Sequence, residues 1–256
     1  MTLGTLLKQG REILQNAGIA EWDLDAWYLL EYVTGVSRSQ YFLDPEREVP
    51  QEQEAAYRQM IEKRSTHIPL QHLTGHQEFM GLEFFVNEHV LIPRQDTETL
   101  VELVLQEQQD PEKKLLDLCT GSGCIAISLA VKGGYRSVTA TDLSEEALKV
   151  AERNAKMHGF AVVSHTETQD APEQAGHPFI FRQGDLFTAM PQSEAGTFDI
   201  ITSNPPYIPT AVIATLEPEV REHEPMMALD GTADGLKFYR RIAKEAGAWL
   251  KPGGAV

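Results

Sequence analysis

Cysteine, basic charge and long apolar runs are the scarce features of this 256-residue chain, and each scarcity excludes something. With two cysteines there is no disulfide framework. Cys119 and Cys124 lie five apart in one glycine-rich segment, without Cys or His partners at zinc-finger spacing, so reduced thiols are expected. His72 and His76 share i, i+4 spacing, but Gly75 intervenes and no carboxylate completes a metal set; no metal site is expected. Lys and Arg number 22 against 38 Asp and Glu, a net charge of −16, which opposes stable binding to a nucleic-acid backbone unless the basic residues cluster. Tight basic pairs such as Lys113-Lys114 and Arg240-Arg241 read as ends of solvated elements. No stretch approaches the roughly 18 apolar residues of a membrane span, and the N-terminus lacks the apolar core of a secretion signal. A cytoplasmic protein is expected.

What is present changes rhythm along the chain. From Thr2 to about His67 apolar residues recur at helical spacing: Leu3, Leu7, Leu14 and Ala17 share a stripe with Leu6 and Ile13. Further amphipathic segments run from Leu24 to Tyr32 and from Gln51 to Glu62. Between Glu78 and Ile92, aromatic and β-branched residues around Gly81 and Asn87 predict a β-hairpin. A helix starts after Pro93. Short apolar runs at Leu115 to Cys119, Ser137 to Thr141, Phe179 to Arg182 and Phe198 to Ser203 then alternate with helices beginning near Gly123, Ser144 and Asp234. That alternation predicts a parallel sheet covered on both faces. Val163 to Pro178 reads as a polar surface insertion. The closing "KPGGAV" predicts a turn into a fifth strand that has only begun at Val256, as in a truncated chain or one whose remainder is disordered.

"LLDLCTGSGCIAISLA", Leu115 to Ala130, is a strand, a tight glycine loop and an apolar helix. Gly121, Gly123 and Ala126 fit G-x-G-x-x-A, and Asp142 follows Gly121 by 21 residues at the end of the next strand, where a carboxylate suits ribose hydroxyls. An adenosine-bearing cofactor is therefore expected. Asp117 stands at the strand end, where a dinucleotide would place its pyrophosphate. A carboxylate there repels phosphate and suits the ammonium of a methionine moiety, so the expectation is S-adenosyl-L-methionine rather than NAD. Asp185, in "QGDLF", reads either as a helix N-cap or as an acceptor for the adenine amino group, with Leu186 or Phe187 against the ring.

"NPPY", Asn204 to Tyr207, follows the strand at Phe198 to Ser203. Proline fixes its own φ and forces the preceding residue into an extended conformation. Asn204 is thereby aimed beyond the carboxyl edge of the sheet, beside carbonyls of set orientation, with Pro205, Pro206 and the Tyr207 ring beside it. An amide oxygen and a backbone carbonyl can together accept both hydrogens of a planar NH2 group whose lone pair is delocalised. Acceptors that draw such a nitrogen toward tetrahedral geometry act most strongly as positive charge develops on it.

In order along the chain, "PLQHLTGHQEF", "LIPRQDTETL", the glycine loop, "TDLS", "GDLF", "NPPYIP" and "EPMMALDGTADGL" resemble the landmarks of the PrmC/HemK family of release-factor glutamine methyltransferases. That family methylates the side-chain amide of the Gln in the GGQ motif of peptide-chain release factors. The resemblance implies a Rossmann-like S-adenosylmethionine-dependent methyltransferase sheet at 94–256, a helical substrate-docking domain at 1–72 and a β-hairpin linker at 73–93. It implies cofactor contacts from Cys119, Thr120, Gly121, Ser122, Gly123, Asp142 and Leu186, to which the reading of the residues adds Asp117, Asp185 and Asn204. Asn204, Pro205, Pro206 and Tyr207 would grip the substrate glutamine, with Asn204, Pro205 and Tyr207 catalytic. Cys119 stands where the family usually has Gly, and Gln95-Asp96 replace a usual Pro-Glu. Arg94, Thr97 and Glu98 read either as capping and linker residues or as site residues. An adenine-N6 DNA or RNA methyltransferase is the alternative, since an adenine NH2 poses the same chemical problem; it would bring a basic groove and a base-reading domain.

Overall fold

The computed structural model describes residues 1–164 and 178–256, so the expected insertion lies almost wholly outside the described residues. The chain divides into two compact units, residues 1–75 with 217–223, and residues 76–216 with 224–256.

In the first unit the helices are α1 (Leu3–Asn16), α2 (Trp22–Thr34), α3 (Arg38–Leu43), α4 (Gln51–Ser65) and α5 (Leu70–Thr74). Thr2 caps α1 by accepting from the Thr5 N–H, and the α1 stripe of Leu3, Leu6, Leu7 and Leu14 is buried against Leu29, Leu30, Tyr57 and Ile61. Ile13, expected on that stripe, is exposed. Arg64, 5% exposed, donates from Nε to Asp25 at 2.7 Å and from a terminal nitrogen to Glu219 at 3.0 Å. Glu219 also meets His67 Nδ1 at 3.2 Å. Through these bonds the segment Glu217–His223 is held in the helical unit, although it follows the last helical segment by some 140 residues of chain.

The second unit opens with the hairpin β1 (His76–Phe79) and β2 (Leu82–Phe85), joined by Met80-Gly81 with positive φ at both positions. It continues through α6 (Gln95–Glu107), β3 (Lys114–Leu118), α7 (Cys124–Gly133), β4 (Ser137–Asp142), α8 (Glu145–Met157), β5 (Val162–Val163), β6 (Phe179–Gln183) and β7 (Phe198–Ser203). Short helices α9 (Thr210–Ile213), α10 (Pro218–His223, in the helical unit) and α11 (Met226–Leu229) precede α12 (Lys237–Glu245) and β8 (Leu250–Ala255). The larger sheet is parallel throughout, in the order β5-β6-β4-β3-β7-β8.

Both faces are covered, which explains the continuous apolar runs. Leu115 and Ile200 point into one core with Phe179, Ile125 and Leu148, while Leu116 and Ile201 point into the other with Phe187, Ile242 and Trp249. β8 corrects the expectation for the chain's end. The strand begins at Leu250, and Pro252-Gly253-Gly254 lie inside it rather than before it, with a register shift against β7 and φ +83° at Gly253. The bulge lets the strand keep pairing with β7 on either side of the irregularity. Among the described residues no helix is long and apolar enough to cross a membrane.

Candidate active site

β3 lies between β4 and β7, and the chain steps from one side of β3 to the other. The carboxyl ends of these strands form the switch point where open parallel sheets bind ligands. Register brings the expected motifs side by side there. Leu118 pairs with Ser203, so Cys119 and Asn204 leave the sheet as neighbours; Asp142 pairs with Gln183, so Asp142 sits next to Gly184-Asp185. One cavity at this edge is walled by Cys119, Thr120, Gly121, Ser122, Asp142, Asp185, Leu186, Asn204 and Pro206.

Asp142 is held by two backbone donors, Gly121 N–H at 2.9 Å and Ser144 N–H at 2.9 Å, one on each oxygen. Each oxygen keeps a lone pair, and two acceptors on one rigid carboxylate suit a vicinal diol. Burial pushes the Asp142 pKa up against these hydrogen bonds. Leu143 and Leu186 supply apolar wall beside it. Phe187 does not: it is buried in the core, stacked on Trp249 at 5.8 Å. Asp185 starts a short 3-10 turn and accepts Arg241 on both oxygens, at 2.8 and 2.9 Å, so it is neither bare nor merely an N-cap. The charged wall is mainly acidic, with Glu88, Asp142, Glu146 and Asp185 against Arg94. That donor set fits the sulfonium and ammonium of S-adenosylmethionine and opposes a pyrophosphate.

Asp117 departs from its expected place. It is fully buried, absent from the cavity wall, and accepts the hydroxyls of Thr120 at 2.7 Å and Thr202 at 2.8 Å. Instead of meeting a ligand ammonium it ties the glycine loop to β7. Burial raises its pKa from 3.8 to about 7, outweighing the two hydroxyl donors, with Asp142 adding repulsion. The unfolded chain ionises near pH 4 and the folded one near pH 7, so between these values the folded state holds the extra proton and stability falls as pH rises. Asp117→Asn keeps both contacts, accepting from one threonine and donating to the other. Its stability relative to the parent is expected to grow across that interval, by roughly 2 kcal/mol or more at pH 8. Urea titrations at pH 4, 6 and 8 showing a constant difference would remove the buried charge from the account.

Gly123 also stands off the wall. Its φ is +81°, and a Cβ there would lie 2.9 Å from Ile127 and 3.2 Å from Ala151, so it serves the packing of α7 on α8. Cys119 has φ +56°, a left-handed backbone conformation that favours glycine. Burial, with Asp142 and Asp117 nearby, pushes its thiol pKa up to about 12.

After β7 the chain keeps Pro205 and Pro206 buried and leaves Tyr207 exposed; neither Pro205 nor Tyr207 is on the cavity wall. The loop backbone is clamped from "LDGTADGL". Ile208 N–H donates to Leu229 and Gly231 N–H to Ile208, and a Cβ on Gly235 would lie 2.2 Å from the Tyr207 carbonyl. The sequence marked this segment only as a landmark. The first turn of α6 is equally engaged: Arg94 pairs with buried Glu224 at 2.8 Å, Thr97 Oγ1 accepts from Asn204 Nδ2 at 3.4 Å, and Glu98 accepts the Met80 N–H. Burial raises the Glu224 pKa despite Arg94. Asn154 is a residue the sequence reading missed. Fully buried on α8, it bonds both backbone polar groups of Phe85 and the carbonyl of Ser122 behind the glycine loop. An Asn among the core-facing positions of an amphipathic helix, whose buried face also carries Glu152, was its sequence signal.

A parallel sheet with this glycine loop, an acidic cradle and an NPPY loop on one edge defines a Rossmann-like methyltransferase. Residues 94–216 match the methyltransferase small domain family, and residues 5–75 match the PrmC N-terminal domain family. The chain is 38% identical over 253 residues to a release factor glutamine methyltransferase of Geobacter sulfurreducens, spanning 99% of this chain and 82% of that one. It is 39% identical over 257 residues to the enzyme of the same name from Deinococcus radiodurans, spanning 100% and 84%. The chain belongs to the release factor glutamine methyltransferase family.

Proposed function

We propose that this protein transfers a methyl group to the side-chain amide nitrogen of the GGQ glutamine in peptide-chain release factors, with S-adenosylmethionine as donor. One observation carries the reading: Asn204, the NH2 holder, stands on the wall of the same cavity as Gly121 and Asp142, the cofactor cradle. S-adenosylmethionine, when bound, supplies an electrophilic sulfonium methyl. Asp142 would hold the ribose diol, Leu186 would pack on the adenine and Asp185, fixed by Arg241, would accept its amino group. Asn204 Oδ1 and the Pro205 carbonyl would accept the two hydrogens of the glutamine NH2, and the Tyr207 ring, exposed beside the cavity rather than on its wall, would close over the amide. These acceptors stabilise the nitrogen most as it becomes tetrahedral and positive, so they lower the barrier rather than merely bind the substrate. One N–H proton then leaves to solvent.

Residues 1–72 dock the substrate protein, residues 73–93 link, and residues 94–256 carry the chemistry, in a cytoplasmic enzyme that forms no stable complex with nucleic acid. The basic pairs support this: Arg240 and Arg241 are neutralised by Asp234 and Asp185, and Lys114 by Glu194, in a chain of net charge −16. The protein is therefore expected to methylate an intact release factor much faster than a short GGQ peptide, and duplex DNA not at all. Methylation of adenine in DNA at physiological salt, with none on the release factor, would replace this reading with the adenine-N6 one.

A further inference from the structure

The NPPY loop accounts for what Asn204 offers its substrate but not for what holds Asn204. A carboxamide can turn over, and only its oxygen can accept from an NH2 group. When Oδ1 faces the substrate, Nδ2 faces away and needs an acceptor of its own. Thr97 Oγ1 stands 3.4 Å from Asn204 Nδ2, on the third residue of α6, and both residues wall the cavity. The helix turn carrying Thr97 is pinned on either side, by Arg94 on buried Glu224 and by Glu98 on the Met80 N–H. It is thus a fixed platform and not a free loop. The loop carrying Asn204 is fixed independently, by Pro205, Pro206 and the close approach of Gly235 to Tyr207.

We infer that Thr97 is a positioning residue for the transfer: its hydroxyl oxygen receives the Asn204 NH2 and so keeps the amide oxygen turned toward the acceptor nitrogen. The inference rests on the proposed role of Asn204. As positive charge develops on the substrate nitrogen, the Asn204 amide polarises, its own NH2 becomes a stronger donor, and the bond to Thr97 tightens with it. The contribution therefore falls on turnover, whereas substrate and cofactor binding change little.

The test compares Thr97→Val, which keeps the shape and removes the acceptor, with Thr97→Ser, which keeps the oxygen. On an intact release factor, Thr97→Val is expected to lower kcat roughly tenfold with KM and cofactor Kd nearly unchanged, and Thr97→Ser to recover most of the loss. In an Asn204→Ala background the Thr97→Val change is expected to have no further effect. Independently of activity, the Asn204 side-chain NH2 signals in a 15N NMR spectrum, assigned by their loss in Asn204→Ala, should shift in Thr97→Val and return in Thr97→Ser. Equal effects in the two backgrounds, or NH2 signals indifferent to Thr97, would overturn the inference. A wild-type protein that leaves the release-factor glutamine unmodified would sink the proposed function instead, and the NMR comparison would still decide Thr97.

Discussion

Asn204→Ala is expected to lower turnover by roughly a hundredfold or more while leaving S-adenosylmethionine affinity nearly intact. The glutamine nitrogen is a poor nucleophile because its lone pair is shared with its carbonyl. Removing one of two acceptors that favour the tetrahedral nitrogen is like removing a donor from an oxyanion hole, with the polarity reversed. Asn204 is held at the sheet edge by the β7 register and by two buried prolines, so its truncation deletes the acceptor without releasing the loop. Cofactor affinity is expected to be spared because the proposed cradle at Gly121 and Asp142 is built by β3, β4 and their own backbone bonds. Single-turnover rates beside calorimetric titration of the cofactor separate the two quantities. Near-normal turnover in folded Asn204→Ala protein would defeat the mechanism.

Arg64→Met is expected to destabilise the helical unit by about 3 to 5 kcal/mol. Arg64 is buried between Asp25, itself 6% exposed, and Glu219. Burial already holds the Asp25 pKa above the usual carboxylate range in spite of Arg64. Without the guanidinium, Asp25 is left as a buried charge with no counter-ion, or must take up a proton to remain inside. Glu219 loses one of the donors that, together with its own backbone N–H and His67, outweigh burial and keep its pKa low. Trp22 and Trp27 of the helical unit report the transition in denaturant, whereas Trp249 belongs to the sheet unit. Adding Asp25→Leu to Arg64→Met removes the orphaned charge and is expected to restore at least half of the loss. A double variant no more stable than Arg64→Met would show that packing around Arg64, not charge, set the cost.

Much of the sheet unit was legible because buried parallel strands leave a continuous apolar trace. Phe198–Ser203 fell where it was expected, and Ser144 marked the start of α8 by capping it. What stayed hidden depended on contacts distant in sequence. Asp117 looked like a ligand from its place at the strand end, but whether that side chain faces the cavity or the interior is decided by Thr202, 85 residues on. The attachment of Glu217–His223 to the helical unit rests on an ion pair spanning 155 residues, which no local periodicity can announce. Pro252-Gly253-Gly254 reads as a turn by local rules, and only its pairing with β7 makes it part of a strand. Thr97 illustrates the limit at the site itself. It read either as a capping residue or as a site residue, and only Asn204, 107 residues later, placed against it, decides between them.

The most direct test of glutamine methylation is mass spectrometry of an intact peptide-chain release factor after incubation with this protein and S-adenosylmethionine. The account predicts one added methyl, localised by fragmentation to the side chain of the GGQ glutamine and absent when Asn204→Ala protein is used. A release factor recovered unmodified at that glutamine, from a folded protein that binds the cofactor, would contradict it.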